Sequence, residues 1–575
     1  MPKGIHFKTD TSELVQWLDK RQASLARARE PMEPVWKDIR LYFEPTLGKA
    51  LVEGDPNQRT ADRDDRLILN STSRIVLGRM AAGLQSGITN QSRQWFKLNS
   101  LDQRTKEMAA VRQWLDETTD TCSGILNRSN AYPALDQTYR YLSEFGTSAG
   151  VVYADEETDV HIYLADTGSY WLAENRRGRV ETMSYLRQMT LAQIREEFGE
   201  SALPASFRER IRNGRQEDLE KVRCHICRND PDRFLDLDPA RPFASVYYLD
   251  ATRDNGADGI LAIRSFGYNP ILAPRWEVYD SVYGIGPAHH GLGDAKQLQS
   301  LEEDKLRVIE LEVNPPMLVP DSMKNEAIDT GPGGITYYKD IGGNGKPTVG
   351  RLFDTHGQLQ PVLLAIADTE ARLNRTFYAD LFAMMINLQT QPKPMTAREV
   401  NELSGEKVSL LGPILTRLNT DLLDPLIDAV FAIAIENGLV KEAPPVLRGK
   451  PLRVEYVSSL HVEQAATTRL SGLYRIAEFA AGIAKFNPNI VDKLDTDQMV
   501  DIAATSLTEN GVVRDDDKVA QLRHERVAQA QQAQQAELQA KYAPAMARAA
   551  KDLSQTPIGD GTALDAALGT ERGPA

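Results

Sequence analysis

Cysteine is scarce in this sequence, three in 575 residues, too few for a disulfide framework and in keeping with a reducing compartment. No apolar run approaches the ~20 residues needed to cross a bilayer, so no membrane partner is expected. The opening Met1-Pro2-Lys3-Gly4-Ile5-His6 lacks the apolar core of a signal peptide. Positive charge is in deficit: 67 Lys and Arg stand against 81 Asp and Glu, a net charge of −14. Tight non-specific nucleic-acid binding is driven by basic side chains that release counterions, and this balance argues against it. What remains is a chain long enough for several domains, with 41% hydrophobic and 26% charged residues, as in soluble globular proteins.

Motifs that carry chemistry are also missing. Gly345-Lys346-Pro347 fails as a P-loop, because Pro347 stands where a hydroxyl must reach Mg²⁺ and Asp340 where the first glycine belongs. The stretch from Gly284 to Asp294 does not fit the dinucleotide spacing. Cys224 and Cys227 have zinc spacing but no second cysteine pair, and the alternation of Val222, Cys224 and Ile226 with Arg223, His225 and Cys227 reads as an ordinary half-buried strand. His289 and His290 are adjacent, so on a helix they point about 100° apart and suit a helix entry better than a shared ion. No catalytic residue, metal or cofactor is expected, and the protein reads as structural rather than as an enzyme.

Residues 10–43 carry two helical stripes, Leu14, Trp17, Leu18 and Leu25, then Val35, Trp36, Ile39 and Phe43, parted by Pro31. Gly48 to Arg66 reads as an exposed polar loop. Asn70-Ser71-Thr72-Ser73 opens a helix with Ile75, Val76, Met80 and Leu84 inward, closed by Gly87, and its Gly78, Ala81, Ala82 and Gly83 permit close approach of another backbone. A further helix carries Val111, Trp114, Leu115, Cys122 and Ile125. Six β-prone runs follow: 151–153, 161–164, 180–187, 222–227, 244–249 and 260–266. A helix from about Leu292 to Val313 carries six carboxylates, among them Glu302, Glu303, Asp304 and Glu310, against three basic residues, and Pro315-Pro316 ends it. Residues 317–357 are rich in glycine, with a β-prone segment at 335–338.

Two helical segments then dominate. Val362, Ile366, Leu373, Phe377, Leu381, Met384 and Leu388 recur at helical spacing until Pro392 and Pro394 stop them. Thr396 and Glu399 form a capping box that restarts the helix. Val400, Leu403, Leu410, Ile414, Leu418, Leu422 and Leu426 continue it, with kinks expected at Gly412-Pro413 and Pro425. Helical patterns run from Pro445 to about Leu507, a Gln/Ala-rich stretch spans 519–550, and the last ~25 residues read as disordered. The fold class is α+β and mainly helical.

Three of these stretches, "LNSTSRIVLGRMAAGLQSGITNQSRQWFKL" from Leu69, "YLSEFGTSAGVVYADE" from Tyr141, and "MTAREVNEL" with "LLGPILTRLNTDLLDPLID", resemble head-to-tail connector (portal) proteins of short-tailed double-stranded-DNA bacteriophages. The matches come in the family's order across about 350 residues. The resemblance implies a ring of about twelve copies at one capsid vertex of the virion, assembled in the host bacterial cytoplasm. It also implies a wing at 1–285, a descending stem helix at 286–316 and a clip at 317–357. Residues 358–440 would hold the returning stem helix, a tunnel loop at 389–395 and a long kinked wing helix, followed by a crown at 441–550 and a tail at 551–575. Gln389, Thr390, Gln391 and Lys393 would then touch DNA in the channel, and Glu302, Glu303, Asp304 and Glu310 would line it with negative charge. The implied partners are the terminase large subunit, the major capsid and scaffold proteins, a tail adaptor and the duplex itself. The alternatives are a terminase-like motor or nuclease, which needs a Walker loop and a carboxylate cluster, and a tail-adaptor ring, usually a shorter chain.

Overall fold

The computed structural model describes residues 11–52, 68–102, 108–250, 259–320, 359–382 except 380, and most of 411–458, with segments 335–338 and 350–351 and scattered positions beyond 467. Two units divide the chain, Met1–Thr467 and Thr468–Ala575.

The first unit opens with α1 (Thr11–Arg29) and α2 (Glu33–Tyr42), joined by a single 3-10 turn, Glu30–Met32. Pro31 therefore bends the chain without interrupting it, since the first turn of a helix has no use for the missing N–H. The polar stretch expected as a loop begins with a 3-10 turn at Lys49–Leu51, and residues 53–67 lie outside the described residues. Next come α3 (Thr72–Ile88), β1 (Phe96–Ser100), α4 (Ala109–Arg128) and α5 (Ala131–Phe145). Val76, Met80 and Leu84 are buried as expected, whereas Ile75 is exposed. Ile75 sits about 100° from Val76 around the helix, off the stripe that faces the core.

All six expected strands are present, in β2 (Ala149–Asp155), β3 (Asp159–Ala165), β5 (Val180–Thr190), β6 (Leu219–Arg228), β7 (Phe243–Leu249) and β8 (Ile260–Phe266). The sequence reading missed β4 (Tyr170–Glu174), the short β9 (Ile271–Leu272), and the helices α6 (Leu191–Phe198) and α7 (Ala205–Arg212). Strands β4-β5-β6-β7-β8 form one antiparallel sheet, and β3-β2-β9 form a second. Strand β6 is not half-buried: Val222 through Cys227 are all buried. Helix α1 covers the second face, where Leu14 and Leu18 pack with Cys227, Val246 and Tyr248, while Cys224 and Ile226 join the main core.

Helix α8 (Pro287–Val313) begins about five residues before the expected start. It leads into a small sheet in which β10 (Met317–Pro320) pairs parallel with β11 (Ile335–Tyr338) and antiparallel with β12 (Gly350–Arg351). Helix α9 (Leu359–Thr376) follows. After the undescribed stretch, a helix at 411–418 widens into a π segment, Asn419–Leu423, and continues as α10 (Asp424–Glu436). Beyond Pro445 the expected helical pattern gives way to β13 (Leu452–Tyr456), which pairs antiparallel with β1. Its Arg453 and Glu455 are exposed while Leu452, Val454 and Tyr456 pack against the core, the period of two that belongs to a strand.

In the second unit, every described position from 519 to 549 is helical. Within the tail read as disordered, β14 (Pro557–Ile558) pairs with β15 (Gly561–Thr562).

Candidate functional site

Helices α8 and α9 form an antiparallel hairpin: Gly291 near the start of α8 lies against Leu373 and Phe377 near the end of α9. Arg372 donates to Asp294 at 3.0 Å and to Gln297 at 2.8 Å across the same seam. The base of the hairpin is tied to α3 by a polar knot built from "LNST". The Gln299 carboxamide oxygen accepts from the N–H groups of Leu69 (2.7 Å) and Asn70 (2.8 Å). The Asn70 amide donates to Glu302 and to Glu370, both at 2.9 Å, while its oxygen accepts from the Thr72 N–H. Asn70 thus closes the turn that precedes α3 and also clamps two carboxylates together, a contact that no local pattern foretells.

That knot engages Glu302, one of the residues expected to line the channel. Glu302 is only 8% exposed and faces Asn70 and Lys305 inside the subunit. Glu303, paired with Arg307 at 2.6 Å, Asp304 and Glu310 are exposed. Gln389, Thr390, Gln391, Lys393, Thr396 and Glu399 lie outside the described residues, as do Met384, Leu388 and the Gly345-Lys346-Pro347 stretch.

The helix expected to run through to Leu388 breaks at Phe377–Tyr378, and Tyr378 takes a left-handed φ of 52°. Such a backbone costs a non-glycine residue on the order of 1–3 kcal/mol. Burial of Phe377 against Phe43 and a ring contact between Tyr378 and Trp276 offset it. Beyond the break Leu381 and Phe382 are buried. A Cβ on Gly83 would stand 2.3 Å from the Phe382 ring, so this glycine receives a side chain of the same subunit. Ala81 is buried too, and the small face of α3 is in good part an internal seam.

The second stretch of the resemblance, from Tyr141, has an equally local cause. Gly146, at φ +69°, leaves 2.4 Å between its absent Cβ and the Gly284 carbonyl, so the turn after α5 and the Gly284–Gly286 segment touch backbone to backbone. Trp276 donates its N–H to the Gly146 carbonyl at 2.9 Å, and the Thr147 hydroxyl accepts from the Gly284 N–H at 2.7 Å. The glycines before α8 serve this contact. His289, three residues into the helix entry, accepts the Gly286 N–H on Nδ1 at 3.1 Å, and burial followed by the charge of His290 lowers its pKa to about 4. Cys224 and Cys227 lie on opposite faces of β6, and burial pushes each thiol up to about 12.

The chain matches the family described as bacteriophage head to tail connecting protein over residues 15–508. It is 34% identical to the portal protein of Salmonella phage epsilon15 over 555 residues, 95% of this chain and 96% of that one. The chain belongs to the head-to-tail connecting protein family. The probable portal protein of Bordetella phage BPP-1 is also 34% identical to this connector, over 90% of the chain and 92% of the relative. Among solved structures, the neck of an empty gene transfer agent particle covers 71% of the connector at 8% identity with a TM-score of 0.32, which adds nothing to the assignment. The chain is a phage portal protein by this kinship, and among the described residues no helix is long and apolar enough to cross a membrane.

Proposed function

We propose that the protein forms a closed twelve-fold ring at one vertex of the capsid. Through that ring duplex DNA would be driven in by a terminase, retained, and released into the tail. The observation that carries the reading is kinship along nearly the full length of two portal proteins. In this reading residues 1–285 are the wing, α8 and α9 the stem, 317–357 the clip, 389–395 the tunnel loop and 441–550 the crown. The host cytoplasm is the site of assembly, scaffold and major capsid proteins surround the ring, a tail adaptor docks below it, and no reaction is catalysed by the subunit.

Two features of the stem support it. Leu306 and Val313 on α8 and Leu363 and Leu364 on α9 are exposed, Val313 and Leu364 by 70% each. Apolar side chains on a slender hairpin are what a heterologous ring interface would cover. Glu303, Asp304 and Glu310, repeated around a ring, would give a field that repels phosphate and keeps the duplex from sticking. Negative-stain imaging of the purified protein tests the reading: rings with a central hole are expected, and monomers that stay monomeric with scaffold protein present would overturn it.

A further inference from the structure

In a chain of net charge −14, six arginines gather around two adjoining cavities of about 450 and 390 Å³ beside the five-stranded sheet. Arg176, Arg177 and Arg179 come from the β4–β5 turn, Arg228 from the end of β6, Arg233 from the turn after it and Arg21 from α1. Three carboxylates line the same cavities, and each is already engaged. Glu174 is held by Arg275, Glu181 by Arg228 at 2.7 Å, and Asp230 by Arg233 at 3.5 Å. Arg21, Arg176, Arg177 and Arg179 make no ion pair among the described residues, and the three on the turn are exposed.

The turn that carries them is fixed in place. Asn175 donates its N–H to the Arg179 carbonyl at 2.8 Å, and its side-chain oxygen accepts from the N–H groups of Arg177 (2.8 Å) and Arg179 (3.1 Å). Gly178, at φ +73°, offers its carbonyl to the buried Arg275 guanidinium at 2.8 Å. Guanidinium groups on a fixed turn lose little backbone entropy on binding, and their planar forks grip phosphate oxygens two at a time.

We propose that this arginine hairpin binds the phosphate backbone of duplex DNA. Two cavities that share Arg228 suit successive phosphates of a polyanion. The one large apolar side chain present, Trp17, is covered by Arg233 at 4.3 Å, so no pocket is left for the apolar anchors of an acidic protein segment. The acidic balance of the chain excludes diffuse attraction and confines binding to such a patch. The proposal goes beyond the portal reading, relying on it only for duplex DNA as the polyanion at hand.

The test is fluorescence polarisation of a labelled duplex of random sequence with the full chain, titrated over a range of salt. Arg176→Gln/Arg177→Gln/Arg179→Gln should weaken binding tenfold or more. It should also lower the slope of log K against log salt by about 1 for each arginine that meets a phosphate. A charge-matched control, Arg27→Gln/Arg208→Gln/Arg212→Gln, should keep nearly wild-type affinity. Equal losses in both variants, or none in the first, would overturn the assignment. So would a polyglutamate peptide that binds the wild type more tightly than the duplex and loses that affinity in the hairpin variant, which would give the patch to an acidic protein. Negative-stain images of the same samples separate the two ideas: no ring with hairpin-dependent duplex binding sinks the portal reading alone, and a ring without it sinks this one.

Discussion

Arg275 and Asp421, 146 residues apart, meet as a buried ion pair at 3.1 Å on the segment where the long helix widens. Pro425 has no N–H to give the Asp421 carbonyl four residues back. The helix responds with a π turn, the Asp424 N–H reaching Asn419, and the freed Asp421 carbonyl accepts the Ala273 N–H at 3.3 Å. What the sequence marks as a kink is therefore the point where the helix is fastened to the strand-bearing part of the same unit. Asp421→Ala would leave Glu174 as the one carboxylate on the buried Arg275 guanidinium among the described residues and should cost about 3 kcal/mol in denaturant unfolding, with Asp421→Asn costing less. Equal stability of Asp421→Ala and wild type would show that the pair fastens nothing.

Gly83 and Phe382 offer a reciprocal test. Gly83→Ala should destabilise by about 1–3 kcal/mol, because the new methyl group meets the Phe382 ring. Shortening the ring in Gly83→Ala/Phe382→Leu should recover part of that loss relative to the sum of the single changes. Strict additivity in the double-mutant cycle would mean that the two side chains do not meet.

Removing the Asn70 clamp should loosen the stem from α3. Asn70→Ala takes away two hydrogen bonds to carboxylates and the one its oxygen accepts from the Thr72 N–H, worth about 2–4 kcal/mol together, and it leaves Glu302 buried with Lys305 as its remaining partner. Differential scanning calorimetry reads the loss. An unchanged Tm would contradict the clamp.

Acid should weaken the fold through two histidines. Burial lowers His289 to about 4 and His225 to about 3, from 6.5. Below pH 6.5 the unfolded chain takes up protons that the folded chain refuses, so stability is intact above 6.5. It falls as pH drops towards 4, at about 1.4 kcal/mol per unit for each site. His289→Asn, whose side-chain oxygen can also accept at the helix entry, should flatten the slope. A slope identical to wild type between pH 6.5 and 4 would refute the role of His289.

The loop variant Gln389→Ala/Gln391→Ala/Lys393→Ala should assemble rings of ordinary stability but package or retain less DNA. Wild-type genome content in particles built from it would remove the loop from the channel. By contrast Leu381→Asp and Leu418→Asp should stop the subunit from folding, since both leucines are buried in its own core and are not surface contacts between subunits.

Periodicity by itself determined most of the elements. The helical stripes at 14–25, 76–84 and 414–426 and the six strand runs all fold as read, because each follows from which residues are apolar at local spacing. The family, too, was legible in three short stretches. What the sequence could not disclose depends on partners far along the chain. Strand β13 looked helical until β1, some 356 residues away, supplied its ladder, with Leu98 facing Val454. Glu302 looked like a solvent-facing charge until Asn70 reached it, and β6 looked half-buried until α1 covered its second face. The break at Tyr378 has no proline or glycine to announce it, since the cost of a left-handed backbone is met by aromatic contacts with Phe43 and Trp276 that only tertiary packing brings within reach.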